Sequence, residues 1–282
     1  MTDTAADDGT GTAAPVRGGV VVVVPTYDEA TTLPVTLARL RAAVPAAHVL
    51  VVDDDSPDGT GRVADGLAAA DRAIDVLHRR GKEGLGSAYV AGFRWALERG
   101  ARVVVEMDAD GSHQPEQLPT LLAALEGPDA PDLVIGSRWV PGGRVVHWPR
   151  HREVLSRAGN TYTRLALGMP VRDATAGFRA FRADTLAGLA LGDVASQGYC
   201  FQVDLAWRVV RAGGTVREVP ITFVERTEGQ SKMSRAIVRE ALVRVTVWGV
   251  QRHVRLVVAA ARRLAGGAER DPGPDRPGAS RA

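Results

Sequence analysis

At 282 residues, 45% hydrophobic and 24% charged, the chain can bury one substantial core, and length alone admits one large α/β domain or two small ones. A single cysteine excludes a disulfide framework and points to a reducing compartment, and no uncharged apolar run reaches the roughly 18 residues that a transmembrane helix needs. The net charge of only +2 hides a bias: Lys82 and Lys232 are the only lysines among 35 cationic residues, and both lie close to glycines in loop-like sequence, where a point charge reaches a phosphate.

Residues 1–17, rich in Thr, Ala, Asp and Gly, have neither the basic nor the apolar region of a signal peptide and read as a disordered tail. Val20 to Val24 is a continuous apolar strand ending at Pro25-Thr26-Tyr27-Asp28-Glu29, after which Leu33, Leu37 and Leu40 recur at helical spacing. A second strand, His48 to Val52, ends in Asp53-Asp54-Asp55-Ser56-Pro57-Asp58 and leads to a helix through Val63 and Leu67. A third, Ile74 to His78, ends in Arg79-Arg80-Gly81-Lys82-Glu83-Gly84-Leu85-Gly86, and a helix follows from Ser87 to Arg99.

The fourth strand, from Val103, stops at Met107-Asp108-Ala109-Asp110-Gly111-Ser112-His113 before a Pro-initiated helix. Two hard oxygen donors at a strand's carboxyl end suit Mg²⁺ or Mn²⁺ bound with a substrate phosphate. Capping of the following helix explains the pair as well when it is taken alone.

A fifth strand, Asp132 to Gly136, delivers Ser137-Arg138. A basic segment with Trp148, Arg144, Arg150, Arg152 and Arg157 leads to a helix around Asn160 to Leu167. The end of Arg172 to Phe181 reads as a strand, Gln202 to Ala212 as a helix, and Thr215 to Val224 as a strand near a sheet edge because Pro220 interrupts it. Cys200, between aromatics, reads as a small buried side chain. Residues 235–266 form a helical segment in which Arg244, Arg252, Arg255, Arg262 and Arg263 fall within roughly one hundred degrees, valines opposite. Such a helix fits a membrane surface or a partner protein, and equally packing on the domain. Residues 267–282 read as a second disordered tail.

Alternating strands and helices with short connections predict right-handed βαβ units and a mostly parallel sheet. In the first four units the polar residues collect after the strand, where a doubly wound sheet binds nucleotides. The Gly81–Ser87 loop is not a phosphate loop of the Walker type, and Pro-Thr-Tyr-Asp-Glu lacks the glycines of a dinucleotide fingerprint. What remains is a nucleotide-type crevice with Tyr27 to stack a base, Glu29 and Asp54 as acceptors, and Asp108 and Asp110 for a metal that neutralises a diphosphate. Helix capping is the competing reading of Tyr27, Glu29 and Asp54 taken singly.

Six motifs stand in order: Val-Pro-Thr-Tyr-Asp-Glu (24 to 29), Val-Asp-Asp-Asp-Ser-Pro-Asp-Gly-Thr (52 to 60), Gly-Leu-Gly-Ser-Ala-Tyr (84 to 89), Met-Asp-Ala-Asp-Gly-Ser-His (107 to 113), Gly-Ser-Arg (136 to 138) and Ser-Lys-Met (231 to 233). On these the chain, over about residues 19 to 250, closely resembles the polyprenol (dolichyl) phosphate mannose synthases, GT-A glycosyltransferases of family 2, of the actinobacterial catalytic-domain type.

The resemblance implies a single GT-A (Rossmann-like) α/β domain over residues 18–234, helices on both faces of its sheet, followed by the C-terminal amphipathic helix. It implies inverting transfer of mannose from GDP-mannose to a polyprenyl phosphate, giving a β-linked lipid mannose donor. Pro25, Tyr27, Glu29, Val52 and Asp54 would hold the GDP moiety; Asp108, Ala109 and Asp110 would meet the nucleotide sugar, with Asp110 the main and Asp108 the second ligand of Mg²⁺ or Mn²⁺. Arg138, Arg226 and Lys232 would contact phosphates, Arg144, Arg152 and Arg157 are candidates for the acceptor phosphate, and Asp173 for orienting sugar or acceptor. Gln197 to Gln202 would close the sugar pocket.

Asp28 and Asp55 stand where the family usually has Asn and Gly, and Gly111 replaces a usual Leu; Ser112 is a doubtful metal ligand. The expected partners are the membrane surface, on the cytoplasmic inner face of the plasma membrane, and a membrane-spanning protein, with no nucleic acid. Two other readings stay open: a family 2 transferase using UDP-glucose or a UDP-N-acetylhexosamine, since Tyr27, Glu29 and Asp54 alone do not separate guanine from uracil, and a non-catalytic nucleotide-sugar-binding protein.

Overall fold

The computed structural model describes residues 16–193, 199–225 and 235–266. The tails expected over 1–17 and 267–282 thus fall almost wholly outside the described residues, as do Gln197, Arg226 and Lys232.

Nine strands and eight helices are described: β1 (Val20–Thr26), α1 (Leu33–Ala43), β2 (His48–Asp53), α2 (Thr60–Ala70), β3 (Ile74–His78), α3 (Leu85–Glu98), β4 (Val103–Glu106), α4 (Leu118–Leu125), β5 (Leu133–Ser137), β6 (Arg144–Val146), α5 (Arg150–Leu167), β7 (Arg179–Arg182), α6 (Ala183–Gly188), α7 (Tyr199–Arg211), β8 (Val216–Pro220), β9 (Thr222–Val224) and α8 (Arg235–Gly266). Seven strands make one sheet in the order β3-β2-β1-β4-β7-β5-β8, and β6 pairs with β9 apart from it. All pairings are parallel except the two made by β7, so the expected mostly parallel sheet is present.

The valine runs explain why the sheet lies inside. Along β1, Val21 and Val23 join Leu50, Val52, Phe93 and Phe201 on one face, while Val22 and Val24 join Leu37, Val49, Val51 and Leu118 on the other. A strand covered on both faces has no polar side, hence a continuous apolar run. Helix α3 approaches so closely that a Cβ on Gly92 would stand 2.3 Å from a Val23 methyl carbon.

Register aligns the strand ends. Thr26 pairs with Asp53 and Asp53 with His78, so the residues after β1, β2 and β3 emerge side by side. Val23 pairs with Glu106, which brings the residues after β4 to the same edge.

Two sequence expectations are corrected. Helix α5 begins at Arg150 rather than near Asn160, with Glu153 in its first turn; its outward-facing Val154, Leu155 and Leu165 blur the apolar period from which a helix is read. The strand expected over Thr215 to Val224 is two: β8 ends at Pro220 on the sheet edge, and Thr222–Val224 leaves to pair with β6. Proline supplies no ladder N–H, so the chain departs there.

Helix α8 packs back on the body. Trp248 stacks on Trp207 at 5.3 Å, the Tyr162 and Thr246 hydroxyls are 2.7 Å apart, and Val245 is buried. Of its expected arginine face, Arg244 pairs with Glu240 at 2.9 Å and Arg252 lies over Gly168, Arg255 is exposed, and the side chains of Arg262 and Arg263 lie outside the described residues. Apart from the buried Val245, the described valines of the helix face outward.

Candidate active site

A cavity of about 430 Å³ runs along the carboxyl ends of the strands. Pro25, Tyr27 and Glu29 enter it after β1, Asp54 after β2, Lys82, Gly84 and Leu85 after β3, Asp108, Ala109, Asp110 and His113 after β4, and Arg138 after β5. Val52 lies within β2 with its side chain in the core and does not line the cavity.

The competing cap readings fail. Helices α1, α2 and α4, and the short 3₁₀ turn Pro115–Gln117, have no side-chain cap hydrogen bond. Asp58 ties the loops together, accepting from the Ala30 N–H at 3.1 Å and from the Thr60 N–H and hydroxyl at 2.9 and 2.6 Å. Glu29 accepts from the Thr32 hydroxyl at 2.8 Å while its N–H donates to Thr60 Oγ1. Asp54, 5% exposed, accepts from Arg79 at 2.5 Å. Burial raises its carboxyl above the ordinary range against the pull of Arg79.

Asp108 is held from two sides. The buried Tyr89 hydroxyl donates to its Oδ1 at 3.1 Å, and its backbone N–H donates to His113 Nδ1 at 3.1 Å. Burial first, then the Asp108 charge, pushes the Tyr89 phenol well above its ordinary value, which keeps it a donor. The His113 ring is fixed by stacking on Phe178 at 5.2 Å. Asp110 Oδ1 accepts from the Ser112 N–H at 3.0 Å across a turn whose Gly111 has φ +74°. Beneath them Glu106 and Arg179 are fully buried, 3.9 Å apart, and burial pushes the Glu106 carboxyl up to about 8 against the Arg179 charge.

Arg138 and Asp173 form a buried fork: Asp173 accepts from the Arg138 N–H at 2.9 Å, Nε at 2.8 Å and Nη2 at 2.6 Å. Asp173 is 0% exposed and outside the cavity lining, so it aims Arg138 rather than meeting a substrate. Of the acceptor candidates, Arg152 lines the cavity, paired with Glu225 and 4.0 Å over the Trp148 ring. Arg144 is exposed on β6, its Nε donating to Thr222, and Arg157 lies over Trp139 beside Glu153; neither lines the cavity. Gln202 lines it.

Arg138, Trp148, Arg152 and Thr175 also line a second, mainly apolar cavity of about 340 Å³ between α5 and α8, with Leu155, Val203, Leu242 and Val245. Tyr89 and Glu218 were not singled out from sequence; Glu218 accepts from the N–H groups of Arg172 and Asp173 and so sets the turn that carries Asp173. Tyr89 was in view as the last residue of the glycine-rich motif, but its partner lies 19 residues away.

Among the described residues no cluster of three or more His, Cys, Asp and Glu is placed to cage a metal. Two carboxylates on one cavity wall fit a Mg²⁺- or Mn²⁺-type ion that takes its remaining oxygens from substrate phosphate and water.

A model of glycosyl transferase family 2 matches residues 21–189. The chain is 59% identical over 231 residues to the undecaprenyl-phosphate mannosyltransferase of Micrococcus luteus, covering 82% of this chain and 94% of that protein. It is 53% identical over 232 residues to the polyprenol monophosphomannose synthase of Mycolicibacterium smegmatis, covering 82% and 87%. Among solved structures, a mannosyltransferase from Pyrobaculum calidifontis in complex with GDP-Man and Mn²⁺ matches with TM-score 0.54 and 21% identity over 85% of this chain and 65% of that one. Glucosyl-3-phosphoglycerate synthase from Mycobacterium tuberculosis, with Mn²⁺, UDP and glucosyl-3-phosphoglycerate, matches with TM-score 0.61 and 20% identity over 81% and 80%. These two likenesses establish a GT-A-like fold. The chain belongs to glycosyl transferase family 2 and, within it, to the polyprenol-phosphate mannosyltransferases.

Proposed function

We propose that this protein transfers mannose from GDP-mannose to a polyprenyl phosphate, with inversion to a β-linked product. The observation that carries the reading is the junction of two cavities, one with a carboxylate pair and one apolar, sharing Arg138, Trp148 and Arg152. A polyprenyl phosphate has the same two-part character, an anionic head on an apolar chain.

Asp110, with Asp108, would hold the divalent ion, Mg²⁺ or Mn²⁺, which supplies charge neutralisation for the departing diphosphate. The acceptor's phosphate oxygen is already anionic and needs no strong base; it forms the bond to the anomeric carbon as the bond to the GDP oxygen breaks. Arg138, aimed by Asp173, and Arg152, on Trp148, place cations where donor and acceptor phosphates meet. The protein's contribution is alignment and preorganised charge. Arg226 and Lys232 belong to the same reading by their motif positions.

The lipid places the enzyme peripherally at a membrane, on the inner face of the plasma membrane. Val243, Val247, Val250, Val254 and Val257 form one exposed stripe on α8, beside exposed Leu155 and Leu165 of α5. No helix among the described residues is long and apolar enough to cross a membrane; a membrane-spanning partner protein would complete the assembly at that stripe.

Transfer from radiolabelled GDP-mannose, GDP-glucose, UDP-glucose and UDP-N-acetylglucosamine to polyprenyl phosphate, with and without divalent metal, tests the proposal. Metal-dependent product from GDP-mannose alone is expected. Absence of product with that donor overturns it.

A further inference from the structure

Helix α8 outruns the body that it packs on. Val245 and Trp248 anchor it to the core, yet every residue from His253 to Ala261 is exposed. Such a short, valine-rich stretch of helix does not hold itself in water, because β-branched side chains favour helix weakly and isolated helices of fewer than about 12 residues are marginal. The projecting half needs a neighbour.

The spacing of its exposed residues says of what kind. Val243, Val247, Val250, Val254, Val257 and Ala261 follow one another in steps of four, three, four, three and four, the 3.5-residue repeat of a coiled-coil seam. At about 100° per residue they fall within about 80° of the helix circumference, opposite Val245, Trp248 and Arg252, which face the body. A seam of that width is what a second helix covers.

The seam is complementary to itself. Run antiparallel about a two-fold axis at the level of Arg252, it sets Val247 against Val257 of the second copy, Val250 against Val254 and Val243 against Ala261, and symmetry repeats each pair, so every layer is apolar. The flanks carry Thr246, Gln251, His253, Val258 and Ala260. The flanking Arg244 faces Val258 of the second copy and is already paired with Glu240. A parallel pairing sets Arg239 against Arg244 of the second copy, a like-charge contact at the positions that decide orientation. In the antiparallel pair each projecting half lies on the half that the other copy anchors, with the two bodies on opposite outer sides.

We infer that, away from the membrane, two copies of this chain pair through α8 as an antiparallel two-helix seam. The inference goes beyond the transferase reading and leaves it unaltered. The valine stripe meets a second copy or the membrane and its proteins, one at a time, so the pair parts when the enzyme settles on lipid.

Sedimentation velocity of the full chain over a dilution series, without lipid or detergent, tests it. A seam one helix wide is at the small end of stable interfaces, so a dissociation constant on the order of micromolar is expected. Val250→Ser/Val254→Ser/Val257→Ser should weaken pairing about a hundredfold or more. An unaltered chain still monomeric at roughly a hundred times the expected constant overturns the inference, as does a triple variant that pairs as before. Oxidative cross-linking reads the orientation. Chains carrying Val247→Cys should cross-link to chains carrying Val257→Cys in a mixture, and neither to itself, the native Cys200 being buried. Self-cross-linking of each chain alone means a parallel pair and overturns the register. Adding anionic liposomes should lower the dimer fraction. Vesicle binding by an unaltered chain that never dimerises keeps the membrane reading and sinks this one; a dimer whose vesicle binding ignores the triple substitution keeps this inference and removes the stripe from the membrane reading.

Discussion

Arg138 and Asp173 meet in a fork in which the carboxylate takes a backbone N–H and two guanidinium N–H groups, with Arg138 4% and Asp173 0% exposed. The carboxylate is spent on fixing the arginine, which alone of the two reaches the cavity. Removing one partner of a buried pair leaves an uncompensated charge, so Asp173→Asn should lose about 3–5 kcal/mol of stability. Turnover should fall with it. Denaturant unfolding and a transfer assay check both, and unchanged kcat would return Arg138 to a structural role.

Asp110 lines the cavity, and its Oδ1 accepts from the Ser112 N–H at 3.0 Å. Asp110→Ala should abolish high-affinity Mn²⁺ binding in the presence of GDP, read by electron paramagnetic resonance. Loss of several kcal/mol of charge stabilisation corresponds to a drop in turnover of about 10²-fold or more. Retained Mn²⁺ affinity would refute the ligand assignment.

Asp28 and Asp55 have φ of +61° and +58°, the left-handed region that glycine and asparagine adopt at least cost. Both positions are thus sites of backbone strain. Asp55→Gly should stabilise the protein by up to about 1 kcal/mol, a rise of about 2 °C in Tm. Differential scanning calorimetry settles the sign.

Burial pushes the Cys200 thiol from its ordinary 9.0 up to about 12, with Arg244 pulling it down and Asp204 and Glu240 adding to the rise. Between those values the folded protein keeps a proton that the unfolded chain releases. Stability therefore declines as pH rises through that window, and Cys200→Ala should flatten the decline. In the folded protein near neutral pH a thiol reagent should react only after denaturant is added.

The valine stripe of α8 is tested by Val250→Ser/Val254→Ser/Val257→Ser, which alters residues 58%, 56% and 68% exposed and leaves the Trp207–Trp248 stack in place. Sedimentation with anionic liposomes should weaken, while activity on detergent-solubilised acceptor stays. Deleting α8 would confound the two, because Val245 and Trp248 belong to the core.

Much of the fold could be read along the chain because its signals are local. Five apolar runs, each followed by polar loop residues, mark β1 to β5, and the carboxyl-end rule locates Tyr27, Asp54, Asp108, Asp110 and Arg138. The polar helix α5 and the break at Pro220 were harder, since an exposed apolar residue and an edge proline resemble loop features.

Sequence by itself determined the strands β1 to β5, the loops that follow them and the six motifs, because a strand's burial and a loop's polarity are written in consecutive residues. Only the tertiary structure decided what each charge is for. Asp173 turned out to aim Arg138 from 35 residues away, Tyr89 to hold Asp108 from 19, and Arg79 to bind Asp54 from 25. On α8, Arg244 pairs with Glu240 of the same helix and Arg252 lies over Gly168, while every described valine but the buried Val245 is left outside. Which partner a buried or half-buried charge finds depends on strand order and register, and those are set by contacts between segments far apart in the chain.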